Sequence, residues 1–163
     1  MASDDNRYRV STPRECAAAV DEVLARARYR VDVLSPELDP DLYDRLEVVD
    51  ALRQVVVVGG RRARIRILLR DGSAVMRRGH RLARLAQSLT TAIEVRRCAG
   101  DDAHEDTACL IVDRSDSINW SDGAGHSGQV CLETPSVARK TESLFLERWE
   151  RAQPEPELRK LRL

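Results

Sequence analysis

Apolar residues recur along this chain with two periods, and each switch of period marks a new element. Cys16, Val20, Leu24 and Ala27 share one helical face behind Thr12-Pro13-Arg14-Glu15. There threonine can cap, proline suits the first turn and glutamate can bond back to the cap. Tyr29, Val31 and Val33 alternate with Arg30 and Asp32, which predicts a strand to about Leu34. Asp39-Pro40 repeats the cap-and-proline signal, and Leu42, Leu46, Val49, Leu52 and Val56 keep helical spacing up to Gly59-Gly60, a natural C-terminal stop. Val55 to Val58 favours strand by propensity, but the stop glycines and the incoming periodicity argue for helix.

The same reading continues downstream. Ile65, Ile67 and Leu69 alternate with Arg64, Arg66 and Arg70, and Asp71-Gly72-Ser73 turns into a third helix reaching Leu89. Gly79 falls inside that helix, where glycine costs roughly 1 kcal/mol against alanine. Ile93 and Val95 mark a strand, 99–106 a polar loop, and Cys109–Val112 a short, wholly apolar strand of the kind covered on both faces. Ser117–Trp120 and Gly128–Leu132 read as two more strands around a Gly-rich loop, and Thr134-Pro135 caps a last helix carrying Phe145 and Trp149. The predicted order is αβαβαββββα, an α/β fold with a mixed β-sheet sandwiched between helices. Residues 1–10 read as a flexible tail, 11–152 as one domain and 153–163 as a C-terminal tail.

Composition adds limits. At 163 residues and 42% hydrophobic content the chain can fill one core. Its formal net charge is zero, which argues against strong global attraction to nucleic acid or anionic membrane. The charges are nonetheless segregated along the chain: Glu37, Asp39, Asp41, Asp44, Glu47 and Asp50 lie in one stretch, while residues 61–84 are rich in arginine. No apolar run approaches the roughly 20 residues of a membrane span, and the polar N-terminus is no secretory signal. No membrane partner is expected. Four dispersed cysteines without a CxxC pair suggest reduced thiols in a cytoplasmic protein. No cofactor or metal site is expected.

Two patches, Arg64-Ile-Arg-Ile-Leu-Leu-Arg-Asp71 and Cys109-Leu-Ile-Val-Asp113 followed by Ser117-Ile-Asn-Trp120, together with the element order, resemble one half of a phospholipase D-like (PLD-like) fold. Within that superfamily the chain is similar to a small bacterial domain of unknown function whose relatives can accompany GNAT-type acetyltransferase domains. The family's catalytic strand reads H-x-K-x-x-x-x-D. Placing Asp113 at its aspartate puts Asp106 at the histidine and Ala108 at the lysine. The resemblance implies that histidine attacks phosphorus and lysine holds the phosphate charge. A carboxylate at the first position repels a phosphodiester and a methyl group at the second offers no charge, so no catalytic residue is assigned and the expectation is a pseudoenzyme, an interaction or anion-binding module. The resemblance also implies a two-fold homodimer; a protein partner is the other expectation.

Two alternatives compete. A phosphodiesterase or nuclease with a non-standard site would need His104 or His80. An Arg-dependent nucleic-acid binder would use residues 61–84, although 4% aromatic content leaves few stacking platforms. The candidate anion-binding residues are Arg70, Arg77, Arg78, His80 and Asp113. The simpler account of His80 is a solvated basic helix, and Arg64 and Arg66 can instead pair with the acidic helix at 41–50. His104-Glu105-Asp106 reads as a polar loop rather than a metal site, and Asp122-Gly-Ala-Gly-His126 as a hairpin loop without the lysine of a phosphate loop.

Overall fold

The computed structural model describes residues 4–123 and 126–158. The outermost parts of the two expected tails, 1–3 and 159–163, and positions 124 and 125 of the Gly-rich loop lie outside the described residues. Eight strands form one mixed sheet: β1 (Arg7–Val10), β2 (Arg30–Leu34), β3 (Arg64–Leu69), β4 (Ile93–Arg97), β5 (Ala108–Val112), β6 (Asp116–Trp120), β7 (Gly128–Cys131) and β8 (Gln153–Pro154). Their spatial order is β1-β7-β6-β5-β2-β3-β4-β8. The strands β2, β3 and β4 run parallel, and every other neighbour is antiparallel.

Two cores flank the sheet. On one face Val31, Val33, Ile65 and Ile67 pack beneath α1 (Pro13–Ala25), α2 (Pro40–Tyr43), α3 (Leu46–Gly59), α4 (Gly72–Arg77) and α5 (Arg81–Ser88). On the other, Leu34, Leu68, Cys109 and Ile111 pack beneath α6 (Pro135–Arg151), whose Phe145 and Trp149 stack with centroids 5.6 Å apart. Burial on both faces is why β5 is apolar at every position: all five of its residues are buried. Thr12 and Glu15 close the expected capping box, the Glu15 amide donating to the Thr12 hydroxyl at 3.1 Å.

The structure corrects four expectations. Residues 7–10 are not a loose tail: they form β1, which pairs with β7 and protects an edge that would otherwise be open. The C-terminal stretch likewise contributes β8 and the buried Leu158. The helix expected over 40–59 breaks at Asp44-Arg45, where Arg45 is extended and its guanidinium reaches Asp21 of α1 at 2.8 Å and the Leu42 carbonyl at 3.0 Å. The helix expected over 72–89 breaks at Gly79, whose φ of 69° is left-handed, so this glycine ends α4 rather than sitting inside a longer helix. The valines 55–58 are helical, as the stop glycines predict.

Candidate functional site

The three parallel strands leave the sheet at one end, and β5 enters from that same end. The segments after β2 and β3, the short 3-10 turn Gly100–His104 after β4 and the approach to β5 therefore converge there. Such a convergence beyond the strand carboxyl ends is where open α/β sheets bind ligands. At its centre stands Arg70. Its guanidinium donates to the Ala103 carbonyl at 2.7 Å and to Glu37 at 2.8 Å, and it reaches Asp106 at 3.5 Å. All three contacts hold the side chain toward acceptors of this protein.

Ala108 opens β5, and Asp106 lies two residues before it in the approach to the strand. Asp106 is exposed, with its Oδ1 only 3.1 Å from where a Cβ on Gly123 would sit, so Gly123 permits this approach. Ala108 is 3% exposed and pairs across the ladder with Trp120. Behind it, the Tyr43 Oη and the Trp120 Nε1 are buried, and burial pushes the Tyr43 phenol up against the opposing influence of the Trp120 N–H. The rim is acidic. Burial raises the Asp39 carboxyl, Glu105 is held by Arg148, and Asp102 by Arg151 at 3.0 Å. His126 lies 3.6 Å from Asp122. The Cys16 thiol donates to the His126 carbonyl at 3.4 Å. Among the described residues no group of three histidines, cysteines or carboxylates is placed to hold a metal ion.

The five residues singled out from sequence do not assemble around one cleft. Arg70 is at the strand-exit end. Asp113 closes β5 at the opposite end, where its carboxylate accepts the backbone N–H groups of Arg28, Tyr29 and Arg30 at 2.8, 3.2 and 2.9 Å. His80 is 1% exposed and caps α5: its Nδ1 accepts from the Leu82 amide at 3.1 Å, so Nε2–H donates to the Leu38 carbonyl at 2.9 Å. Desolvation lowers its pKa and keeps the ring neutral. Arg77 and Arg78 are exposed at the end of α4. His104 is exposed in the 3-10 turn. Arg66 pairs with Asp32, which is 0% exposed, at 2.7 Å, not with the acidic helix, and Arg64 bonds to the Ala63 carbonyl.

Sequence reasoning missed Glu37 as the partner of Arg70. The available signal was the parallel pairing of β2 with β3, which places the segments after both strands side by side.

Residues 12–161 match the model of a family described as a domain of unknown function (DUF7931). No match to the sequence is found among curated proteins. Several solved structures share the fold. TrmBL2, an archaeal chromatin protein described as showing a novel mode of DNA binding, superposes with a TM-score of 0.65 at 17% identity over 94% of this chain. This chain spans only 56% of TrmBL2. Nuc from Salmonella typhimurium, a phospholipase D family member, gives 0.65 at 14% identity over 94% of this chain and 98% of its own. NucT from Helicobacter pylori gives 0.63 at 13% identity over 91% and 98%. At these identities the likeness shows the fold, which is PLD-like.

Proposed function

The chain belongs to the DUF7931 family, and from that premise we propose that it is a PLD-like domain that binds rather than hydrolyses. The observation that carries this reading is the occupancy of the strand that opens at the convergent end. Asp106 stands where the resemblance puts the nucleophile, and the buried Ala108 where it puts the phosphate-holding lysine. The cation that reaches Asp106, Arg70, is already engaged by Glu37 and the Ala103 carbonyl. A phosphodiester entering there meets carboxylates, and the repulsion grows where water is excluded.

Neither histidine supplies a substitute. Both ring nitrogens of His80 are used within the fold. His104 precedes Asp106 by two residues in a 3-10 turn, and no lysine follows it before Lys140. Pairing with an acetyltransferase domain, implied by the sequence resemblance, would give such a binding module a catalytic companion.

The test is turnover of bis-p-nitrophenyl phosphate. The expected outcome is none above the buffer rate. Turnover abolished by His104→Ala or His80→Ala would instead establish a non-standard phosphodiesterase. The DNA binding described for TrmBL2 favours a second reading, an Arg-dependent nucleic-acid binder. That reading requires affinity for a DNA duplex that falls steeply with salt, and a flat salt response counts against it.

A further inference from the structure

The end of the sheet opposite Asp106 carries a different surface. There β2 and β3 begin side by side, with Arg30 directly opposite Arg64 in the ladder. Like charges in such a cross-strand pair destabilise the sheet. One step further along the same face the pair is complementary, Asp32 with Arg66 at 2.7 Å. The turn after α3 adds Arg61 and Arg62 to this corner, and the start of β2 adds Arg28. Gly59 locks the pieces together: a Cβ there would lie 2.9 Å from the Arg28 carbonyl. The Arg64 amide donates to the Tyr29 carbonyl at 2.8 Å, and the Arg62 guanidinium sits 5.0 Å over the Tyr29 ring.

The carboxylates at this pole are committed elsewhere. Asp113 accepts three backbone N–H groups, Asp116 and Glu133 hold Arg26, and Glu142 lies 3.1 Å from Arg114. Arg28, Arg30, Arg61, Arg62 and Arg64 have no carboxylate within ion-pair distance among the described residues, and the Nε of Arg30 is buried without a hydrogen-bond partner. Beside Arg61 and Arg62, on the last turn of α3, Val57 and Val58 are 75% and 58% exposed. Arginines supply the attraction to fixed anionic charge, and adjacent protruding apolar side chains suit a partner that is anionic at its surface and apolar just beneath.

We infer that this basic pole is a peripheral docking surface for anionic lipid bilayers, with the arginines at the headgroup phosphates and the two valines at the acyl boundary. The surface is separate from the convergent end, so it adds a partner to the binding module without involving Asp106.

The experiment is co-sedimentation of the full chain with vesicles of phosphatidylcholine alone or mixed with phosphatidylglycerol. Binding is expected only to the mixed vesicles, falling as salt rises. Each arginine near an anionic surface contributes about a fivefold gain, so Arg61→Gln with Arg64→Gln should weaken binding about 25-fold. Val57→Ser with Val58→Ser should weaken it several-fold, whereas Arg77→Gln with Arg78→Gln on α4 should leave it unchanged. Circular dichroism and melting of each variant separate lost binding from lost folding. No preference for the mixed vesicles overturns the inference, as does binding indifferent to the Arg61/Arg64 pair. Binding to a DNA duplex without vesicle binding, or indifference to the valine pair, also overturns it and assigns the pole to a purely ionic partner. Failure here leaves the phosphodiester turnover result untouched, so the two readings fail separately.

Discussion

At Asp113 a single carboxylate determines how β5 ends. It lies at φ 52° and gathers the amides of Arg28, Tyr29 and Arg30, tying the exit of β5 to the entry of β2. These are charge-assisted bonds to groups that open the central strand pair, a class of bond whose net contribution is about 1.5–3 kcal/mol and smaller where the carboxylate is partly exposed, as here. Asp113→Ala should therefore lower the unfolding free energy by about 2–3 kcal/mol in urea titration. Asp113→Asn, which keeps an acceptor and tolerates the left-handed backbone, should lose less. Equal losses would mean that the carboxylate's charge, not its hydrogen-bond count, holds the strands. Its presence in the sequence motif said that the strand stops there. It did not say that the carboxylate would face backbone rather than ligand.

The elements above the sheet depend on residues that look like site chemistry in the sequence. Gly79 supplies the left-handed turn between α4 and α5, and His80 immediately caps α5 while gripping the Leu38 carbonyl of the segment after β2. That linkage has a pH signature. Desolvation is the largest influence on His80 and lowers its pKa below the ordinary 6.5. The Leu38 carbonyl and Asp44 oppose the shift, and Arg78 and Arg81 add to it. A depressed histidine binds fewer protons folded than unfolded, so its stabilising contribution is complete above about pH 6.5 and is lost as pH falls through the folded value. The melting temperature should drop in that window for the native chain. In His80→Asn, which can still cap α5, the drop should be smaller. An identical pH profile would remove His80 from this role.

Over the whole molecule, zero net charge conceals two poles. Glu37, Asp102, Glu105, Asp106 and Asp122 collect at the strand-exit end, where Arg70, Arg148 and Arg151 pair with four of them, while Arg28, Arg30, Arg61, Arg62 and Arg64 collect, without ion pairs among the described residues, where β2 and β3 begin. Segregation of this kind lets each pole act over about one Debye length, ~10 Å in 0.1 M salt, before the other cancels it. Near neutral pH and low salt the protein should therefore be retained on both anion and cation exchangers. Arg61→Gln with Arg64→Gln should reduce retention on the cation exchanger only. Equal loss on both columns would mean that the charges act as an undivided sum.

The amino-acid sequence by itself determined the central run of elements from α1 to α6, apart from two breaks within its helices, because periodicity, caps and stop glycines are local signals. It also put an anionic side chain, Asp106, and an uncharged one, Ala108, at the two positions to which the resemblance points. The breaks at Arg45 and Gly79 were less legible, since the first depends on Asp21 reaching across from α1 and the second on a backbone angle. The strand β1 was illegible as such, because four residues with one buried valine become a strand only when β7 offers its edge. Tertiary structure alone decided which charges meet: Arg70 with Glu37, Arg66 with Asp32, and Arg30 with no carboxylate within ion-pair distance among the described residues. Strand pairing sets those neighbours across tens of residues, and electrostatic energy depends on distance in space rather than along the chain.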